Sequence, residues 1–245
     1  MNVIGLGLVV LAGLLLLALS VIKRKSPSGL RPIPALTRLY RLVGLSVEDG
    51  TRLFVALGRS SLLTPRGGAP LAGLAMLRQV AERTSQSDRP PIAGAGEASL
   101  ALLAQDSLQA GYQAAAAGEL YQPTSGRLLG MTAFSAAAAG MPLVQSENVS
   151  TAVLAGDFGA EAALLAEAAD RDNAVSVGGS GDLTGQAALY ASAGEALIGE
   201  ELFAAGAYLG AGAAHTASLT VQDVLRWLIV LSLLGGALLK LLGLI

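Results

Sequence analysis

Glycines beside acids are the residues of this chain best suited to chemistry, and the chemistry they suggest is anion binding. Gly94-Ala95-Gly96-Glu97-Ala98-Ser99 follows a strand-like run and opens a helix-like one. Its spacing approaches the dinucleotide loop Gly-x-Gly-x-x-Gly, with Ser in place of the third glycine. Backbone N–H groups at such a helix start hold phosphate. Glu97 works against this, because it sits where the anion would sit, and an acid there also suits the helix dipole. Gly178-Gly179-Ser180-Gly181-Asp182 is a second loop of this kind. Small residues let a ligand reach the backbone, although Ser180 or Asp182 as a helix cap explains the loop equally well. Arg59, followed by Ser60 and Ser61, is the best single anion-binding candidate, against the plainer account of a surface loop.

Asp157, Glu161, Asp182, Glu200 and Glu201 all follow strand-like runs. Gathered at one edge they would bind Mg²⁺ or Ca²⁺, or act as an acid–base pair. Each also begins a helix, where acids are favoured anyway. Glu200-Glu201 asks for more explanation than a single acid does. The ligand-binding candidates are therefore Arg59, Gly94, Gly96, Gly178, Gly179, Asp182, Glu200 and Glu201. No catalytic residue follows. His215 is the only histidine, cysteine is absent, and the only lysines, Lys23, Lys25 and Lys240, lie at the chain ends. A nucleophile–base pair, a Schiff-base lysine and a P-loop lysine are all missing. The expectation leans away from an enzyme, with no metal and no cofactor.

The elements that must position these residues repeat one pattern. An apolar run ends in glycine and small polar residues, and a helix-like run follows. The strand-like runs are 52–57, 91–93, 127–129, 151–155, 174–177 and 195–198. Their helical partners are 71–83, 98–112, 132–139, 160–169, 183–192 and 202–209. This alternation predicts an α/β fold, a mostly parallel sheet with helices on both faces (Rossmann-like). Right-handed crossovers place every strand-to-helix loop at one edge, where such folds bind ligands. The order of the strands stays open. Residues 140–150 are the least readable and are expected to hold an extra strand around Pro142 to Val144. Few aromatics, 4%, and 31 glycines point to close packing of small side chains or to a GC-rich coding sequence.

Both ends are hydrophobic. Residues 2–22 carry no charge, long enough at about 1.5 Å per residue to cross about 30 Å of hydrocarbon. Lys23, Arg24 and Lys25 follow at once, at headgroup level. A cleaved signal peptide fits less well, since the basic cluster comes after the apolar run. Residues 225–245 form the second span, with Trp227 at its start and Lys240 free to snorkel. Within it Ser232 and Gly236 offer a small-xxx-small face for helix contact. Basic residues stay cytoplasmic, so the expected topology is two spans in the plasma (inner) membrane, a cytoplasmic domain and both termini outside. The domain plan is a span at 2–22 and a basic juxtamembrane segment at 23–50 with an amphipathic helix at 35–45, packed on the domain. The α/β domain (51–210), a small-residue linker (211–224) and the span at 225–245 complete it. The basic segment suits the anionic leaflet, and a net charge of −2 leaves no nucleic-acid footprint.

Several phrases resemble a known family. They are Leu30-Arg31-Pro32-Ile33-Pro34, the run from Val47 to Leu53 continuing into Leu57-Gly58-Arg59, Phe158-Gly159-Ala160-Glu161-Ala162, and the run from Leu197 to Leu209. Together they resemble an uncharacterised bacterial membrane-anchored family, a domain of unknown function. The resemblance covers nearly the whole chain, implies membrane attachment and brings no catalytic residues. The expected role is a membrane-tethered structural or scaffold protein that forms homo-oligomers or joins other membrane-complex subunits. The alternative is a small-anion or nucleotide sensor using the Gly-rich loops.

Overall fold

A computed structural model of the 245-residue chain describes residues 3–23, 30–59 and 67–242. Arg24, Lys25, Ser60 and Ser61 lie outside the described residues. The chain divides into two compact units, Arg31–Gly210 and the two ends, Met1–Leu30 with Ala211–Ile245.

In the first unit six strands form one sheet: β1 (Arg52–Gly58), β2 (Ile92–Ala95), β3 (Gly126–Leu128), β4 (Val149–Asp157), β5 (Val175–Ser180) and β6 (Glu195–Leu197). All pairings are parallel, in the order β3-β2-β1-β4-β5-β6. This is the doubly wound, Rossmann-like order, with its reversal between β1 and β4. The expected α/β class is therefore observed, and all six expected strands form. Central strands covered on both faces need unbroken apolar sequence. In β1, Leu53 through Leu57 are at most 1% exposed.

The helices of this unit are α2 (Pro34–Glu48), α3 (Gly68–Thr84), α4 (Ala98–Ala114), α5 (Ala133–Ser146), α6 (Ala162–Arg171), α7 (Leu183–Ser192) and α8 (Glu201–Tyr208); α1 and α9 belong to the other unit. Helix α3 packs against α2, α4 and α8, while α5, α6 and α7 pack side by side. Small residues bring these layers close. A Cβ on Gly73 of α3 would lie 2.1 Å from the Ala155 carbonyl oxygen of β4.

Three expectations need correction. The Gly-rich stretches extend the strands: Gly94-Ala95 belongs to β2, Gly156-Asp157 to β4, and Gly178-Gly179-Ser180 to β5. Pro142 sits inside α5, so no extra strand forms there. The proline costs the helix one hydrogen bond, but it lies near the C-terminal end, and Ala138, whose carbonyl it frees, is exposed to water. Most of 211–224 is helical, because α9 (Ala213–Leu241) starts just after Gly212, whose φ is +112°.

Helix α2 packs on the domain as expected, burying Leu36, Leu39 and Val43. Tyr40 is half-exposed, with the Arg83 guanidinium 4.1 Å above its ring. The two ends of the domain are clasped together. The Tyr208 hydroxyl donates to the Arg31 carbonyl, and Arg31 Nη2 lies 3.2 Å from Glu201 Oε1.

In the second unit α1 (Val3–Lys23) packs against α9. Helix α9 is long and apolar enough to cross a membrane. The apolar run of α1, Val9–Ile22, is shorter. A Cβ on Gly235 or Gly236 would meet nothing within 4 Å.

Candidate functional site at the carboxyl-terminal edge of the sheet

Parallel strands bring every strand-to-helix loop to one edge. Beside the reversal in strand order, this edge holds a narrow cleft of about 20 Å³, far below the range of small-molecule sites. Gly58 and Arg59 reach it from the end of β1, Gly94 and Gly96 from β2, and Phe158 and Glu161 from the end of β4. Leu129, Ala133, Ala136 and Leu165 complete largely apolar walls.

Arg59 is placed by backbone and glycine together. Gly58 has φ +72°, and a Cβ there would lie 2.3 Å from the Asp157 carbonyl oxygen. The left-handed turn is thus open only to glycine. The Arg59 N–H donates to that same carbonyl at 3.1 Å. Gly96 leaves room for the Arg59 side chain, since a Cβ on it would sit 3.1 Å from Arg59 Cβ. The guanidinium reaches across to the Met131 carbonyl at 3.4 Å, a long bond that leaves its other donors available.

Glu161 enters the same cleft from the turn before α6. It is 8% exposed, and its Oε1 accepts from the Gly159 N–H at 2.9 Å. Neither Arg59 nor Glu161 has an ion-pair partner among the described residues.

A family model described as a domain of unknown function, DUF6754, matches residues 2–245. The chain belongs to the DUF6754 family. No curated protein and no solved structure matches it.

The other sites read from the DUF6754 sequence are distributed differently. Gly94 lines the cleft, but its missing side chain also admits the core, since a Cβ would meet Leu129 Cδ1 at 2.5 Å. Gly178 and Gly179 lie within β5 and do not reach the cleft. A Cβ on Gly178 would strike Leu189 at 2.6 Å, and one on Gly179 would strike Leu197 at 2.9 Å. The small size of Gly178 serves the packing of α7 on the sheet, and that of Gly179 leaves room beside Leu197 of the neighbouring strand β6. Asp182 caps α7, accepting from the Thr184 N–H at 3.0 Å. Glu200 precedes α8, and Glu201 accepts from the Ile198 N–H at 3.3 Å while pairing with Arg31. Among the described residues no group of three His, Cys, Asp or Glu side chains is placed to hold a metal ion.

Several helix starts at this edge are closed by the chain's own side chains. Glu97 caps α4, accepting from the Leu100 N–H at 2.9 Å and from the Ser99 hydroxyl. The Ser99 hydroxyl, followed by the Leu100 and Ser99 N–H groups, holds the Glu97 carboxyl below its ordinary range against a smaller opposing effect of burial. Thr132 and Ser135 form a capping box on α5. At each of these starts at least one N–H donor that a phosphate would use is already engaged.

Sequence reading found Arg59, Gly94 and Gly96, and the fold brings these three together. Gly58 was missed as a site residue, although a glycine ending a strand directly before an arginine is a readable signal. Glu161 was grouped with the edge carboxylates but not singled out, because its burial arises from neighbours distant in sequence. Lys23 closes α1, and Ser232 lies in α9 with its hydroxyl bonded to the Ile229 carbonyl at 2.8 Å.

Proposed function

We propose that this chain is a membrane-tethered structural protein. Two apolar ends hold the α/β domain at the cytoplasmic face of the plasma membrane, and the domain self-assembles or serves as an accessory subunit of a membrane complex. The observation that carries this reading is α9, whose apolar window is uncovered along its length. Such a surface needs lipid or other helices around it. The open face at Gly235 and Gly236, beside Ser232, suits close helix contact with a neighbouring copy. The engaged helix starts at the sheet edge support a non-catalytic role. Lys23, Arg24 and Lys25 favour the cytoplasmic placement, with both termini outside.

Native mass spectrometry of the full chain, extracted gently from its membrane, tests assembly. A defined homomeric or heteromeric complex is the expected result, and a monomer would overturn the reading. Protease accessibility in sealed vesicles tests topology: the domain should be cut only when the cytoplasmic side is open.

A further inference from the structure

We infer that the outer face of α2, together with Arg83 at the end of α3, is a docking surface for a bilayer that contains anionic lipid. Arg41 and Arg83 are its cations, and Tyr40 is its interfacial aromatic. The inference rests on the membrane-tethered reading of the two ends and adds a second contact, made by the folded domain itself.

Helix α2 has two faces. Its inner side packs on the domain, while Tyr40, Arg41, Gly44 and Leu45 stay exposed, Tyr40 at 54% and Leu45 at 43%. A tyrosine and a leucine beside cations suit the headgroup layer better than open water. Arg31 is paired with Glu201 and Arg38 with Glu195. Arg41 and Arg83 have no ion-pair partner among the described residues. Neutral groups hold Arg83: the Tyr40 ring beneath it, and the Leu209 carbonyl, which accepts from its Nη2 at 3.0 Å. Of the acids on these two helices, Glu48 ends α2 and Glu82 accepts from the Gln79 side chain at 3.3 Å. The places where the chain leaves the domain identify the occupant. Leu209, bound to Arg83, directly precedes the last residue of the domain, Gly210, and α9 opens at Ala213. At the other end the Tyr208 hydroxyl holds the Arg31 carbonyl, three residues before α2 opens at Pro34. Both exits therefore lie beside α2, and each leads along the chain to an apolar helix. A bilayer that holds those helices is tethered to this side of the domain. Lys23, Arg24 and Lys25 bring further cations along the segment that reaches Arg31. A second copy seated on the same face would set cations against cations.

The chain has no cysteine, so a single introduced one carries a unique label. The test uses the full chain in vesicles of phosphatidylcholine, with or without phosphatidylglycerol, whose headgroups carry a nitroxide quencher. A fluorophore is placed on Gly44→Cys, where a side chain meets nothing within 4 Å. The control is Ala187→Cys, an exposed position of α7 in the layer of α5, α6 and α7. Flotation with the vesicles, and retention through an alkaline wash, read the tether separately. With phosphatidylglycerol present, quenching at position 44 should exceed that at 187, and it should fall when phosphatidylglycerol is left out. Arg41→Gln should lower the ratio of docked to free domain about fivefold, with the thermal midpoint unchanged. Protein that floats but is quenched equally at the two positions would overturn the docking and leave the tether standing. So would quenching at position 44 that ignores both phosphatidylglycerol and Arg41→Gln. Protein that does not float would overturn the tethered reading and the docking with it.

Discussion

Tyr112 shows how a single side chain shapes the behaviour of this domain. Its ring is fully buried on α4, edge-on to Tyr121 at 5.7 Å, and its hydroxyl has no hydrogen-bond partner among the described residues. Burial pushes its pKa up to about 12, opposed by the Arg52 charge. The native state therefore holds the proton more tightly than the unfolded chain does, and stability falls as pH rises from about 10 through about 12. Tyr112→Phe should leave stability unchanged at neutral pH or raise it by up to about 1 kcal/mol, and should flatten that alkaline slope. Urea unfolding at pH 7 and above pH 10 checks both. Gly73→Ala should act the other way. Its Cβ meets the Ala155 carbonyl of the sheet, so a loss of about 1–3 kcal/mol in the same assay is expected. Such close contacts explain where sequence reading stopped. Gly178 and Gly179 look like loop residues because glycine ends strands and lines packed strands alike. Only Leu189 and Leu197, brought up by the tertiary fold, tell the two apart.

The pattern of elements was legible because each strand–helix alternation is a local event, marked by a glycine and a helix-starting residue. Boundaries were not, and each strand that ends in small residues ran past its expected end. The stretch around Pro142 reads as an extra strand and not as the end of α5, because sequence cannot show that the residue whose carbonyl the proline frees is exposed to water. Strand order was out of reach, since pairing β1 with β4 joins residues about a hundred positions apart and leaves no local mark. Capping, by contrast, is local and can be tested directly. Glu97→Ala should cost about 1 kcal/mol by removing the acceptor for the Leu100 N–H. The change in thermal midpoint reads this. A loss well above it would mean that Glu97 also holds the loop after β2.

The whole molecule separates into a charged domain with its own core and a pair of apolar helices. An isolated fragment of residues 31–210 should accordingly fold, with helical and strand circular dichroism and a cooperative melt. A non-cooperative melt would mean that the ends contribute to the core. Hydrophobicity made the two ends legible at once, whereas the small size and mixed charge of the cleft emerged only from the fold. Arg59 and Glu161 are about a hundred residues apart in sequence, and nothing in either local stretch announces the other.

The clasp of Tyr208 and Glu201 on Arg31 has a consequence for grafting. A domain whose two ends leave from one place behaves as a cassette. It can be exchanged for another compact domain, or given new termini within an exposed loop, without forcing its attachment points apart. Joining residues 31 and 210 by a short Gly/Ser bridge and reopening the chain elsewhere should therefore preserve the sheet.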